Sequence, residues 1–393
     1  MKKIMATSTA ILMNLSLGLS FFLIFNIKSI QWSTDWTQLQ IIIYSASFYL
    51  AFGIAFYLYN KYGTNVKERT ICVAIFLLMV IGSSLSVVAI YNQSWLMLVL
   101  INFLFLGVAS GIGNYVSFKT IVSWYSGRQL NLMTTLLLIV YGLSSVLAVL
   151  WHNYLFSDDI VVFKDILLCV LQSVIFIVPS IIWLRYNDSY KENNEMNYSN
   201  LKGNTDFKTS ITLYIVCSII GFSILVNIFD MSINIFNNIQ FYDINLVFIV
   251  GITSIIGRIF WPILSNLIGM PLTILILISF QAVALLELIL STTFFMFVFN
   301  VCVISSCYGG MMNLLPLYLN DTFKKEHFLC VYSYYNLAWG IVGFIIPTFE
   351  ILTYQITLDY YDGLKILLVI SLVCVLKAVK FTERNIRRTW HRF

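Results

Sequence analysis

The run YNDSYKENNEMNYSNLKGNTDFK, residues 186–208, is the one long polar stretch in a chain otherwise built from apolar blocks. It lies close to the midpoint of the 393 residues. Its Asn, Glu, Lys and Ser content suits a solvated linker, because it carries too little apolar surface to build a core. On either side the blocks reach about 20 apolar residues, the length a helix needs to cross a bilayer. Spans are expected near 7–29, 39–60, 70–91, 95–123, 129–151 and 161–185 before the linker. After it they are expected near 210–235, 244–267, 271–291, 293–319, 328–350 and 362–381. The tightest pairs fall around 268–272 and 291–294. The expected fold is an all-α integral membrane protein of twelve transmembrane helices in two pseudo-symmetric halves. Those halves cover 1–185 and 210–393, the second ending in a short basic tail, with the linker over 186–209.

Composition supports this class. Hydrophobic residues make up 60% of the chain and charged residues 10%, against about 25% charged in a soluble domain. No soluble core buries that much apolar surface and still leaves a polar exterior. The N-terminal MKKIMATSTAILMNLSLGLSFFLIF starts like a signal peptide. Its apolar run is longer than a signal core and lacks a small-x-small cleavage site, so it reads as the first span.

Charge orients the helices. Lys and Arg gather at both termini, in the linker, and in KYGTNVKER, SGRQ and FKKEH, whereas STDW, FSDDI, YDIN and TLDYYD are acidic or neutral. The positive-inside rule then places both termini and the linker in the cytoplasm. The basic tail reads as a solvated face, not a nucleic-acid patch. The seven cysteines stand singly and the three histidines are scattered, so no metal site, disulfide framework or cofactor is expected. HExxH, GxSxG and GxxxxGK[ST] are absent, which argues against a membrane enzyme.

The halves echo each other. Gly111 and Gly142 recur as Gly309 and Gly340, offset by 198 residues. Internal repeats with a site at their interface are a mark of secondary transporters. Gly107-x-x-x-Gly111 allows close helix contact, Gly113 and the Gly309-Gly310 pair add further small positions, and Pro316, Gly340 and Gly343 allow bending. Static packing is an equally good reading of all of these.

Three stretches carry a family resemblance. GVASGIGNYVSFKTIVSWYSGRQL (107–130), GRIFWPILSNLIG (257–269) and CYGGMMNLLPLYLNDTFKKEHFLCVYSYYNLAWGIVGFIIP (307–347) resemble the oxalate/formate antiporter group of the major facilitator superfamily, with the monocarboxylate transporters as near relatives. The match departs from the family in several places. The loop after helix 8 reads Ser265-Asn266 and Gly269-Met270 where Ser-Asp and Gly-Arg are common. The helix 1 signature of the monocarboxylate transporters is absent, Ser254 stands where they place a helix 8 aspartate, and Trp339 stands where related oxalate carriers place a lysine. The resemblance implies pocket tyrosines at Tyr115 and Tyr141; Tyr308, Tyr335 and Trp339 are second-half counterparts.

Arg258 is the residue that most needs explaining. It lies about 14 residues, roughly 21 Å, into helix 8, where an insertion scale charges about 2.5–3.5 kcal/mol for an arginine. Its planar fork matches a carboxylate with two parallel hydrogen bonds. Two readings are open: substrate-anion binding, or an internal ion pair with Asp230, Glu287 or Glu350. Lys119 is the rival cation, expected to snorkel near the end of helix 4, and Lys28 and Lys164 read as interfacial. One central cation suits a monoanion better than a dianion. The expectation is a monomeric carrier of small organic anions in a plasma or organellar membrane. The leading substrates are pyruvate-, lactate- or formate-like monocarboxylates, with Asp230 or Glu287 as proton-coupling candidates. The alternatives are a carrier for another polar solute (dicarboxylate, amino acid or sugar) or a non-transporting nutrient sensor.

Overall fold

The structure, a computed structural model, describes residues 2–19, 34–63, 66–155, 175–187, 189–190, 201–236 and 244–390. Over these residues the regular secondary structure is helical. The first helices are α1 (Lys2–Leu19), α2 (Gln38–Leu58), α3 (Glu68–Tyr91), α4 (Trp95–Trp124), α5 (Gly127–Leu155) and α6 (175–183). They are followed by α7 (Thr205–Phe236), α8 (Ile244–Ile268), α9 (Met270–Ile289), α10 (Phe294–Thr322), α11 (Phe328–Thr357) and α12 (Tyr360–Trp390). Among the described residues, eight helices are long and apolar enough to cross a membrane.

Local chemistry explains the helix ends. Thr37 caps α2 in a reciprocal capping box with Gln40. Asn204 accepts from the Asp206 and Phe207 amides, so α7 starts inside the polar stretch expected to be linker. Gly269, at φ 89°, is the single residue between α8 and α9; a side chain there would be strained, which is why so tight a turn falls on glycine. α12 continues through the basic tail to Trp390. The first expected span lies partly outside the described residues, as do most of the sixth and Lys28 and Lys164.

Contacts divide the chain into two compact units. The first holds Met1–Asn194 with Asn320–Thr348, and the second holds Glu195–Leu319 with Phe349–Phe393. In the first unit, Asn14 of α1 donates to the Leu137 carbonyl of α5 and accepts from Asn114 of α4. Both asparagines are buried, so this pair ties three helices at an interior point where water is unavailable. α4 also contains a π-helical segment, Asn102–Gly107, in which Asn102 donates to the Tyr44 carbonyl of α2 at 2.7 Å.

The two units use one packing device. On α4, a Cβ added at Gly107 would come within 3.0 Å of the Phe48 carbonyl oxygen of α2, and one at Gly111 would overlap the Phe52 oxygen. On α10, the Ser305 hydroxyl donates to the Val250 carbonyl of α8 at 2.8 Å, and a Cβ at Gly309 would overlap the Ser254 carbonyl oxygen. The α4 and α10 positions (107 and 305, 111 and 309) are each 198 residues apart; the α2 and α8 positions (48 and 250, 52 and 254) are each 202 apart. One helix–helix contact is thus built twice. Gly309→Ala should lower stability by about 1–3 kcal/mol, since its methyl meets backbone that has no rotamer to yield. The thermal unfolding midpoint in detergent checks this, with Gly269→Ala as a comparison that tests conformational strain alone.

Candidate functional site

Pro262 lies inside α8. Proline has no amide hydrogen, so it leaves the carbonyl four residues earlier without its helical donor. That carbonyl belongs to Arg258, and Asn313 of α10 donates its side-chain amide to it at 2.6 Å. Around this bond α8 and α10 touch almost without side chains. A Cβ at Gly257 would meet the Ser306 carbonyl, and one at Gly310 would meet the Trp261 ring. Residues 254, 257, 258 and 261 form one strip of α8, so Arg258 is set by a backbone clamp on the α10-facing side. The arginine is 9% exposed.

In the same unit Tyr308 is buried on α10, 5.8 Å from the Phe222 ring and against Gly221 of α7. Pro316 is buried within α10, which remains helical through it. Glu287 is exposed on α9. Asp230 belongs to α7, but its side chain lies outside the described residues. Glu350 is buried on α11 and accepts from the Ser223 hydroxyl of α7 at 2.7 Å.

In the first unit the other expected residues surround Phe52 and Phe56 of α2. Trp339 packs edge-on against Tyr49 and Phe52, with centroids 5.4 and 5.3 Å apart. Tyr141 is half-buried, 6.4 Å from Phe52. Tyr115 is fully buried between Phe56 and Tyr59. Its hydroxyl donates to Asn60, whose amide donates to Ser333 of α11. Tyr335 is also fully buried. Gly340 meets Gly53, where an added Cβ would run into the Asn336 carbonyl, so α11 approaches α2 as closely as backbone allows. Gly113 faces Leu17 of α1, Gly142 is buried in α5, and Gly343 lies in α11. Lys119 is buried near the end of α4 with its ammonium 4.9 Å from the Tyr186 ring centre.

The sequence reading missed Phe52, Phe56, Asn60 and Asn313. Asn313 had a usable signal: a proline inside an apolar helix leaves a carbonyl that a buried amide must satisfy. The phenylalanines had none, being two among 31.

The eight candidate spans among the described residues define a multi-pass membrane protein. A family model for the Major Facilitator Superfamily matches residues 10–347, and the chain belongs to that superfamily. It is accordingly a transporter and not an enzyme, and the family implies the twelve-helix fold. No curated protein matches the chain.

The Tyr115–Asn60–Ser333 chain gives a direct check. Tyr115→Phe should cost about 1 kcal/mol and Asn60→Leu about 1–3 kcal/mol, because the second leaves more buried groups without their partner. The double variant should cost less than the two together, as expected for one shared bond. Thermal unfolding of the four proteins measures all three values.

Proposed function

We propose that the protein carries small monocarboxylates, of pyruvate, lactate or formate type, by alternating access, with Arg258 as the carboxylate-binding group. The observation that carries this is a guanidinium-bearing residue 9% exposed in an apolar helix, its backbone clamped by Asn313. An arginine cannot shed its charge in a protein, so an anion is the natural partner for it in a water-poor interior. The other buried cation among the described residues, Lys119, already sits over Tyr186 near a helix end. One arginine then favours a monoanion over a dianion. In the same unit as Arg258, Tyr308 on α10 supplies an aromatic face and a hydroxyl of the kind a short carboxylic acid needs; in the first unit Tyr115, Tyr141, Tyr335 and Trp339 are the aromatic residues proposed for substrate contact. The charge pattern of the loops supports cytoplasmic termini and linker.

Reconstituted protein should take up labelled pyruvate saturably, with lactate and formate competing better than oxalate. Losing a charged bidentate contact worth about 1.5–3 kcal/mol should lower uptake by Arg258→Gln about 10- to 150-fold. Arg258→Lys should retain part of it, keeping the charge without the fork. Undiminished uptake by Arg258→Gln would remove the arginine from the substrate site. Stronger competition by oxalate would move the reading to dianions.

A further inference from the structure

We propose that Glu350 is a proton-binding site of this transporter, built by α7, α11 and α12. The proposal rests on the family and on the geometry around Glu350, and not on the identity of the substrate.

Glu350 is 2% exposed, and among the described residues the Ser223 hydroxyl is its hydrogen-bond donor. No Lys or Arg pairs with it among those residues. The space for its carboxyl exists because residue 363 is glycine: a Cβ there would overlap Oε2. One turn along α7, Asn227 is fully buried and donates to the Ser223 carbonyl, and its Oδ1 meets no donor among the described residues. A carboxylic acid removes the buried charge of Glu350, so one proton lets the side chain stay in this niche.

The charged neighbours do not supply an alternative. On α12, Asp362 and Lys365 flank Gly363, but they bind each other at 2.7 Å and are substantially exposed. On α11, Tyr354 stacks on Tyr360 at 4.1 Å and donates to Asn234. On α7, Asp206 lies at the far end beside Arg384, Lys208 is exposed near it, and the Asp230 side chain lies outside the described residues. The thiols of Cys217 and Cys374 are six and eleven residues along from Ser223 and Gly363.

The location gives the proton a mechanical role. Pro347 lies inside α11 and has no amide hydrogen for the Gly343 carbonyl, which weakens the helix there. Glu350 follows three residues later. As the acid it fits its dry niche. As the carboxylate it needs water or a cation, and the last turns of α11 must loosen from α7 and α12 to admit either. The step moves one proton from hydronium to a carboxylate oxygen: one O–H bond of hydronium breaks, one carboxyl O–H bond forms and water is left. The charge of the side chain rises by one and no electron moves.

The test is infrared difference spectroscopy of the full chain in lipid nanodiscs, titrated from mildly acidic to mildly alkaline pH without substrate. The expected result is a carboxylic-acid carbonyl band that disappears as pH rises, shifts in heavy water and is lost in Glu350→Gln. Ser223→Ala should keep that band but change its frequency, because the carbonyl loses a hydrogen bond; it also decides the matter if Glu350→Gln does not fold. A folded wild-type protein with no Glu350-dependent band at any pH overturns the proposal. So does a band that responds to sodium chloride but not to choline chloride at fixed pH, which would make the site one for sodium ions.

Discussion

A backbone carbonyl inside a bilayer has no water to bond, so each one left open by the chain must be closed by the chain. Pro262 opens the Arg258 carbonyl, and Asn313 closes it from the neighbouring helix. The site depends on this exchange. It converts a local defect of α8 into a fixed contact with α10, and the residue held by that contact carries a positive charge deep within an apolar helix. A helix without Pro262 would satisfy its own carbonyl and would have no need of Asn313.

Close backbone approach completes the clamp. Lipid chains are as apolar as leucine, so helices in a membrane gain little from burying leucine against each other. They gain from contact, and contact is closest where a side chain is missing. Gly257 against Ser306 and Gly309 against Ser254 do this in the second unit; Gly107 and Gly111 against α2 do it in the first. The repeat is not exact. Where α4 has Gly107, α10 has Ser305, which donates to Val250 instead of merely fitting beside it. Duplicated helices thus keep the position of a contact while changing its chemistry.

The sequence carried the helix positions well because the physical signal was strong. Spans expected at 70–91, 95–123 and 244–267 correspond to helices at Glu68–Tyr91, Trp95–Trp124 and Ile244–Ile268. A run of 20 apolar residues between polar turns leaves little freedom. Polar helix extensions were less legible. Residues Thr205–Thr209 and the basic tail look like solvated chain by composition, yet Asn204 caps the first and α12 continues through the second. The π segment Asn102–Gly107 was also not readable, since its Asn102 bond to Tyr44 comes from a partner 58 residues away. For the site, Arg258 stood out as a charge in an apolar run. Glu350 stood out only as a candidate counter-ion, because its niche depends on Ser223 and Gly363, neither of which carries any signal alone.

Arg258 and Glu350 both belong to the second unit and face the same solvation problem with opposite signs. Their remedies differ because their chemistry differs. A guanidinium keeps its proton under all ordinary conditions, so its charge can only be met by an anion. A carboxylate can be neutralised by gaining a proton, so no second side chain is needed. Under the two proposals, one loading event brings a monocarboxylate to the first and a proton to the second, with no net charge added. The same arithmetic excludes a dianion from moving with a single proton without leaving a charge uncompensated in the low-dielectric interior. Under those proposals, with Arg258 as the buried guanidinium and Glu350 as the proton niche among the described residues, the stoichiometry that costs least desolvation is one anion with one proton.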